Sequence, residues 1–270
     1  MKFSVKNGKI IKTSKLNINI INQAYWFDFS VYSSLKVIGG KIFYVNYHID
    51  RLFDSALKLD LGHGFNKDDI KIWLEKVVKK NKINDGFVRM FLLGDVDKNE
   101  KADLYIVAIG GLTFYPDKFY KEGVSVITYA GERHFPNIKS KDLLLSFVAL
   151  RQAKKQGCLE SLLVDKEGSI REGTRTNFYA LKGDIIVMPP DEKVLEGITK
   201  KFLKEAIKDD FKIIKEDIKA NDLGSYDGFF LTSTTMNVMP IRNINGIDCK
   251  INLDRIKKIQ KLYKEYIKGF

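Results

Sequence analysis

Cysteine is scarce in this 270-residue chain: Cys158 and Cys249 are the only two, far apart and in no CxxC pairing. That argues against a disulfide framework and against a cysteine-built structural zinc site. Histidine is as sparse, at positions 48, 63 and 134, so a histidine-rich metal centre is not expected either. No run of 18 apolar residues occurs, and the start "MKFSVKNGKI" has no apolar signal core. The chain is therefore expected to be soluble and cytoplasmic, without a membrane span. No internal repeat or low-complexity segment is visible. Acidic residues are outnumbered, 34 against 46 Lys and Arg, which leaves a net charge of +12. Excess positive charge invites a nucleic-acid reading. However, the lysines run along the whole chain with acidic residues between them, as in "LKEAIKDDFKIIKEDIKAND", and no zinc-finger or helix-turn-helix signature occurs. A general lysine bias fits better, and it would also favour a compact anionic ligand.

What is present is a sizeable apolar fraction, 44%, beside 30% charged residues, enough for a substantial core. "KFSVKNGKII" predicts a hairpin about Asn7-Gly8, and "SVYSSLKVIGGKIFYV" a second about Gly39-Gly40. "YHIDRLFDSALKLDL" switches to helical spacing, with Leu52, Ala56 and Leu59 on one face. "NKDDIKIWLEKVVKKNKI" predicts another helix, with Ile70, Trp73, Val77 and Val78 inward. "GFVRMFLLGD" and "DLYIVAIGGLTF" are expected strands. A stretch with Pro, Gly and charges at 115–123 suggests a boundary, giving an N-terminal α+β domain over 1–118 and a C-terminal α+β domain over 119–270. In the latter, strands "VSVITYA", "ESLLVD", "TNFYAL", "IIVMPP", "FKIIKEDI", "GFFLTST" and "VMPIRNING" alternate with helices, the last at "LDRIKKIQKLYKEYIKGF". Antiparallel runs flanked by helices make the class α+β rather than a doubly wound sheet.

The stretch "PNIKSKDLLLSF" holds two lysines one residue apart. Strand parity cannot separate them, because Lys139 and Lys141 would share a face. Ser140 is a good N-cap residue, and helical spacing follows as far as Gly157, a natural stop. Lys141 would then occupy the first exposed turn. Lys139 would sit where a strand hands over to a helix, a rigid place for a site residue.

Four further stretches are individually ordinary. Glu172 in "IREGTRTNFY" precedes a glycine at an expected tight turn. Gly197 in "VLEGITKKF" precedes a helix whose first amides, with Ile198 and Thr199, suit a phosphate. "LTSTTMNVMP" places hydroxyls in a row at a strand end. "HIDRLFDSA" sets Arg51 on a helix with His48.

Taken in order with Tyr32 of "SVYSSLKV", these stretches resemble the class IV, or fold-type-IV, pyridoxal-phosphate aminotransferases. That family includes branched-chain and D-amino-acid aminotransferases and aminodeoxychorismate lyases. The resemblance spans nearly the whole chain and is most specific from Lys139 to Thr199. It implies two α/β-type domains with the active site between them, pyridoxal 5'-phosphate as cofactor, no metal, and a homodimer. It implies that Lys139 is the Schiff-base lysine and that Glu172 meets the pyridine nitrogen. Arg51, Ile198, Thr199 and Thr234 would hold the cofactor, chiefly at its phosphate. Tyr32, Arg89 and Thr235 would face substrate, Arg89 by likeness of "FVRMFLLGDV" to the branched-chain stretch that supplies a carboxylate-binding arginine. Three positions depart from the pattern. Ser33 stands where a glutamate is usual, Met188 where a threonine is usual, and Lys36 where branched-chain members carry arginine. The implied reaction is amino-group exchange between an apolar, branched-chain-type amino acid and 2-oxoglutarate. "NIKSKDLL" and "TSTT" look closer to the D-amino-acid enzymes, and the lyase reaction stands third.

Overall fold

The computed structural model describes residues 1–94, 101–112 and 115–269. By contact the chain divides into two units, Met1–Thr113 with Ile138–Asp142 and Phe114–Asn137 with Leu143–Phe270. The division falls close to the boundary expected at 118. The stretch around Lys139 differs from expectation, because it joins the N-terminal unit. Its backbone explains why: Tyr32 N–H donates to the Lys139 carbonyl and Lys141 N–H to the Ser30 carbonyl, each at 3.0 Å. Val31 and Ser140 form an antiparallel bridge, and Ile138 is buried in the N-terminal core.

In the first unit, β1 (Phe3–Lys6) and β2 (Lys9–Lys12) meet at Asn7 and Gly8, whose φ values are 49° and 80°. A two-residue hairpin needs positive φ at both central positions, which Asn-Gly supplies. After the single turn α1 (Gln23–Trp26) comes β3 (Ser30–Ile38), which turns at Gly39-Gly40 into β4 (Lys41–Ile42). Helices α2 (Val45–Lys58) and α3 (Lys67–Asn81) follow, then β5 (Gly86–Leu93) and β6 (Asp103–Ile109). The expected strand "DLYIVAIGGLTF" ends at Ile109, and its final Thr113 and Phe114 lie outside the described residues. The six strands pair in the order β2-β1-β6-β5-β3-β4, antiparallel throughout. Alternation sorts the sheet into two faces. Val31, Ser33, Leu35, Val88, Met90 and Leu92 are buried on the face that α2 and α3 cover. Tyr32, Ser34 and Lys36, with their cross-strand partners Phe91, Arg89 and Phe87, lie on the other. On α3 the buried residues are Ile70, Leu74, Val77 and Val78, with Trp73 partly buried rather than fully inward.

The second unit opens with the short helix α4 (Asp117–Glu122) inside the expected boundary stretch, then β7 (Val124–Ala130), α5 (Leu144–Lys155) and β8 (Glu160–Val164). β9 (Ser169–Gly173) and β10 (Asn177–Lys182) precede β11 (Ile185–Met188), α6 (Ile198–Ile207) and β12 (Lys212–Lys215). β13 (Ile218–Lys219), β14 (Gly228–Ser233), β15 (Asn237–Ile244), β16 (Ile247–Asp248) and α7 (Leu253–Tyr266) complete it. The sheet runs β12-β11-β10-β14-β15-β7-β8-β9-β13, with β16 on β15 and one extra pairing of β9 to β10. Most pairs are antiparallel, but β15–β7, β7–β8 and β11–β12 are parallel, the last two each joined through a helix. Such a crossover places a helix start beyond the carboxyl end of a strand, here α6 after β11, a position where ligands commonly bind. Among the described residues no helix is long and apolar enough to cross a membrane.

Candidate active site

Each unit carries its own set of candidate residues. In the first, helical spacing brings His48, Arg51, Leu52 and Ser55 to one side of α2, next to β3. Lys139 is fixed between them by its backbone: its N–H donates to Ser55 Oγ at 3.1 Å and its carbonyl accepts from Tyr32. The Lys139 amine lies 4.9 Å from the centre of the Tyr32 ring. Lys141 is turned to other work, pairing with Asp28 at 2.9 Å and lying over the Tyr25 ring. Both members of that pair are a third or more exposed, so the contact is worth at most about 1 kcal/mol.

The helix-cap argument for these lysines does not hold. α5 begins at Leu144, and Ser140 is instead a buried member of the bridge to Val31. A long-range strand pairing has displaced the local cap, and it separates the two lysines more firmly than a cap would.

Tyr32 stacks on Phe91 at 6.2 Å between ring centres, and Arg89 covers both rings while its Nε donates to Ser34 Oγ at 2.9 Å. No carboxylate lies within ion-pair range of Arg89 among the described residues. Lys36 shares this face, over the Phe43 ring, and burial pushes its amine below the usual lysine range. A cavity of about 490 Å³ opens on the same side, walled by apolar residues such as Ile18, Phe91 and Leu93 and also by Tyr25, Ser30 and Lys141. Ser33 points the opposite way, into the helix-covered core, where its Oγ lies 2.8 Å from His48 Nδ1 and accepts from Arg51 Nη2 at 2.8 Å.

In the second unit Glu172 lies inside strand β9, not at the tight turn expected of it, and is 6% exposed. A buried carboxylate must be matched. Here Oε2 accepts from Leu195 N–H at 3.3 Å and Oε1 faces the Arg133 guanidinium at 3.6 Å. Ile198 and Thr199 open α6, whose N-cap Gly197 makes no side-chain cap bond. The leading amides of such a helix have no partner within it and carry partial positive charge, so they suit a phosphate. Thr234 and Thr235 sit in the turn between β14 and β15, and Thr235 Oγ1 is 3.2 Å from Ser233 Oγ. Thr232 is not part of a hydroxyl cradle: it is buried against Tyr179, 3.1 Å between oxygens. Met188 is buried at the end of β11.

Several supporting residues escaped the sequence reading. Tyr263 of α7 is buried, and burial pushes its hydroxyl up to about 12. Lys200 is wholly buried, yet bonds Asp191 at 2.7 Å and Glu196 at 3.2 Å. Burial would raise the Asp191 carboxyl, but hydrogen bonds from Lys200 and Lys215 outweigh that and hold it down to about 2. The loop leading into α6 is thus tied down by matched charges. Glu160, also fully buried, accepts from Ser161 N–H at 2.9 Å and Thr174 Oγ1 at 2.5 Å, fixing the turn after Glu172. Nothing local flags these residues. Lys200 and Glu160 read as surface lysine and strand start, and only the tertiary pairing reveals them.

Each unit by itself holds groups of a kind that suits a phosphorylated aldehyde cofactor: a fixed amine in the first, and a buried carboxylate and a helix start without a side-chain cap in the second. Comparison with known proteins points the same way. The pattern of the family "Amino-transferase class IV" matches residues 30–244. A putative branched-chain-amino-acid aminotransferase of Methanocaldococcus jannaschii is 26% identical over 276 residues, covering 97% of this chain and 94% of its own. A D-alanine aminotransferase of Listeria monocytogenes is 30% identical over 252 residues, covering 89% and 87%. A solved branched-chain aminotransferase from the thermophilic archaeon Thermoproteus uzoniensis, with norvaline, superposes at a TM-score of 0.88 with 20% identity, covering 99% of this chain and 95% of that one. A hypothetical aminotransferase from Mycobacterium tuberculosis, in its PLP-bound form, gives 0.83 at 18% identity, covering 99% of each chain. With more than half its length inside the family pattern and that fold around it, this chain belongs to the class IV aminotransferases, pyridoxal-phosphate-dependent transaminases of fold type IV.

Proposed function

We propose that this enzyme moves the amino group of an apolar, branched-chain-type amino acid to 2-oxoglutarate, with Lys139 as the lysine that carries the cofactor. The observation that supports Lys139 most is its fixed backbone and its amine over the Tyr32 ring, while Lys141 is drawn to Asp28. When bound, pyridoxal phosphate supplies a ring that takes up the electron pair left on the substrate's α carbon. Lys139 provides the amine that holds the cofactor and then moves the proton at that carbon, work worth about 10²–10⁴-fold. The Glu172 carboxyl group, 3.6 Å from the Arg133 guanidinium, would keep a proton on the ring nitrogen. Arg51 and the first amides of α6 hold the phosphate, with Thr199 and Thr234 adding hydroxyls. Thr235 is assigned to substrate.

The substrate reading draws on the aromatic pair Tyr32–Phe91 and the named branched-chain relatives. Arg89, without a carboxylate partner among the described residues, is assigned to a substrate carboxylate. The D-alanine aminotransferases of Listeria favour a second reading, in which the preferred donor is a D-amino acid. Incubation with matched L- and D-amino acids and 2-oxoglutarate, with glutamate formation followed, separates the two. Turnover of L-leucine, L-isoleucine or L-valine above D-alanine supports the first, and the reverse order overturns it.

We also propose a homodimer. Ile20, Ile21, Trp26 and Phe27 are 66–73% exposed, more apolar surface in one stretch than an isolated subunit normally leaves in water.

A further inference from the structure

Ser33 stands on the strand that carries Tyr32, yet it is 0% exposed and its neighbour His48 is 1% exposed. Neither can touch a substrate. The two are nevertheless not idle packing, because they form a chain of hydrogen bonds that ends on Arg51. Donor capacity fixes its Arg51 end. A guanidinium has donors only, so Arg51 Nη2 donates to Ser33 Oγ at 2.8 Å. Ser33 Oγ also lies 2.8 Å from His48 Nδ1, and with one hydrogen and two lone pairs it can donate to that nitrogen or accept from it. Burial foremost, then the positive charges of Arg51 and Lys139, push His48 well below its ordinary range and keep the ring uncharged.

We propose that Ser33 and His48 are positioning residues for Arg51, aiming its guanidinium through an uncharged relay so that its positive charge is kept for the cofactor's phosphate. This rests on the assignment of Arg51 to the phosphate. The physical point is what a neutral partner does. A carboxylate at position 33 would orient the guanidinium too, but would set a negative charge against it at hydrogen-bond distance and weaken its pull on a dianion. A serine backed by a neutral histidine orients without that opposition.

The test titrates the full-length apoprotein with pyridoxal 5'-phosphate and with phosphate-free pyridoxal, following absorbance and quenching of protein fluorescence. The ratio of the two dissociation constants isolates what the phosphate contributes. Ser33→Ala is expected to lower the preference for the phosphorylated form about 3- to 10-fold and leave pyridoxal binding unchanged. Ser33→Thr, which keeps the hydroxyl, restores it. His48→Gln, whose amide can accept or donate in place of Nδ1, retains the preference, and His48→Leu loses it. The His48 pair carries the test by itself should Ser33→Ala not fold. Arg51→Ala should abolish most of the preference. If Arg51→Ala does so while Ser33→Ala and His48→Leu match wild type, the relay is refuted and the arginine assignment stands. If Arg51→Ala leaves the ratio intact, the phosphate assignment itself fails. Equal weakening of both ligands in Ser33→Ala would show a structural role only and would overturn the proposal.

Discussion

Replacing Gly197 by alanine should damage both stability and cofactor retention, for a reason of space alone. Its φ of −68° suits any residue. A Cβ there, however, would stand 2.3 Å from Asn177 Oδ1, roughly 1 Å inside ordinary contact. Asn177 is buried, and its Nδ2 donates to the Leu195 carbonyl at 2.9 Å. If the amide swings aside, a buried carbonyl loses its donor, at about 1–3 kcal/mol. If it stays, the loop must be overpacked, at about the same 1–3 kcal/mol. Both routes give the same range, so the prediction does not depend on which is taken. The disturbance also reaches the site, since Leu195 N–H donates to Glu172 and Gly197 opens the α6 turn. Urea denaturation of the apoprotein, alongside titration with pyridoxal phosphate, measures both effects. Gly62→Ala is the control, because a Cβ there meets nothing within 4 Å. Gly197→Ala as stable as that control, with unchanged cofactor affinity, would refute the reasoning.

Glu172→Gln should still bind the cofactor but slow the chemical step, because an amide no longer favours the protonated ring; wild-type single-turnover rates at saturating cofactor would remove the electron-sink role. His48 stays neutral in the folded chain but takes up a proton near pH 6.5 when unfolded. The unfolded chain therefore binds more protons below that pH, and stability falls there by up to about 1.4 kcal/mol per pH unit, with no slope from this residue above it. His48→Gln should remove that share of the acid slope in urea melts from about pH 7.5 to 5.5, and an unchanged slope would contradict the assignment. Sedimentation at low micromolar concentration should give about twice the 31.0 kDa chain mass; a fully active monomer would sink the dimer.

Local chemistry made much of this fold legible in the sequence. Asn7-Gly8 and Gly39-Gly40 announced their hairpins because only such residues take positive φ cheaply. The 3.6-residue period marked α2 and α3, with Leu74 missed because Trp73 beside it drew the inward assignment. What stayed hidden depends on pairing across long stretches of chain. The union of Lys139 with β3 is set by partners more than a hundred residues away, and no local signal competes with a good-looking serine cap. Glu172 in "REG" reads as a turn because the glycine is visible and the flanking strands are not. The orientation of Ser33 follows from alternation with Tyr32, but its meaning needed His48 and Arg51 from the next helix. For the candidate residues, family resemblance implied roles that single positions could not, and the structure shows which hydrogen-bond and ion-pair partners surround Lys139, Arg51 and Glu172.

The central claim is that Lys139, and not Lys141, is the lysine that holds the cofactor. Borohydride reduction of the holoenzyme, followed by proteolysis and mass spectrometry, tests it directly. The account predicts cofactor fixed to the peptide at Lys139, with Lys139→Ala losing both the label and turnover and Lys141→Ala keeping most of each. Label on Lys141, or labelling that survives Lys139→Ala, would contradict it.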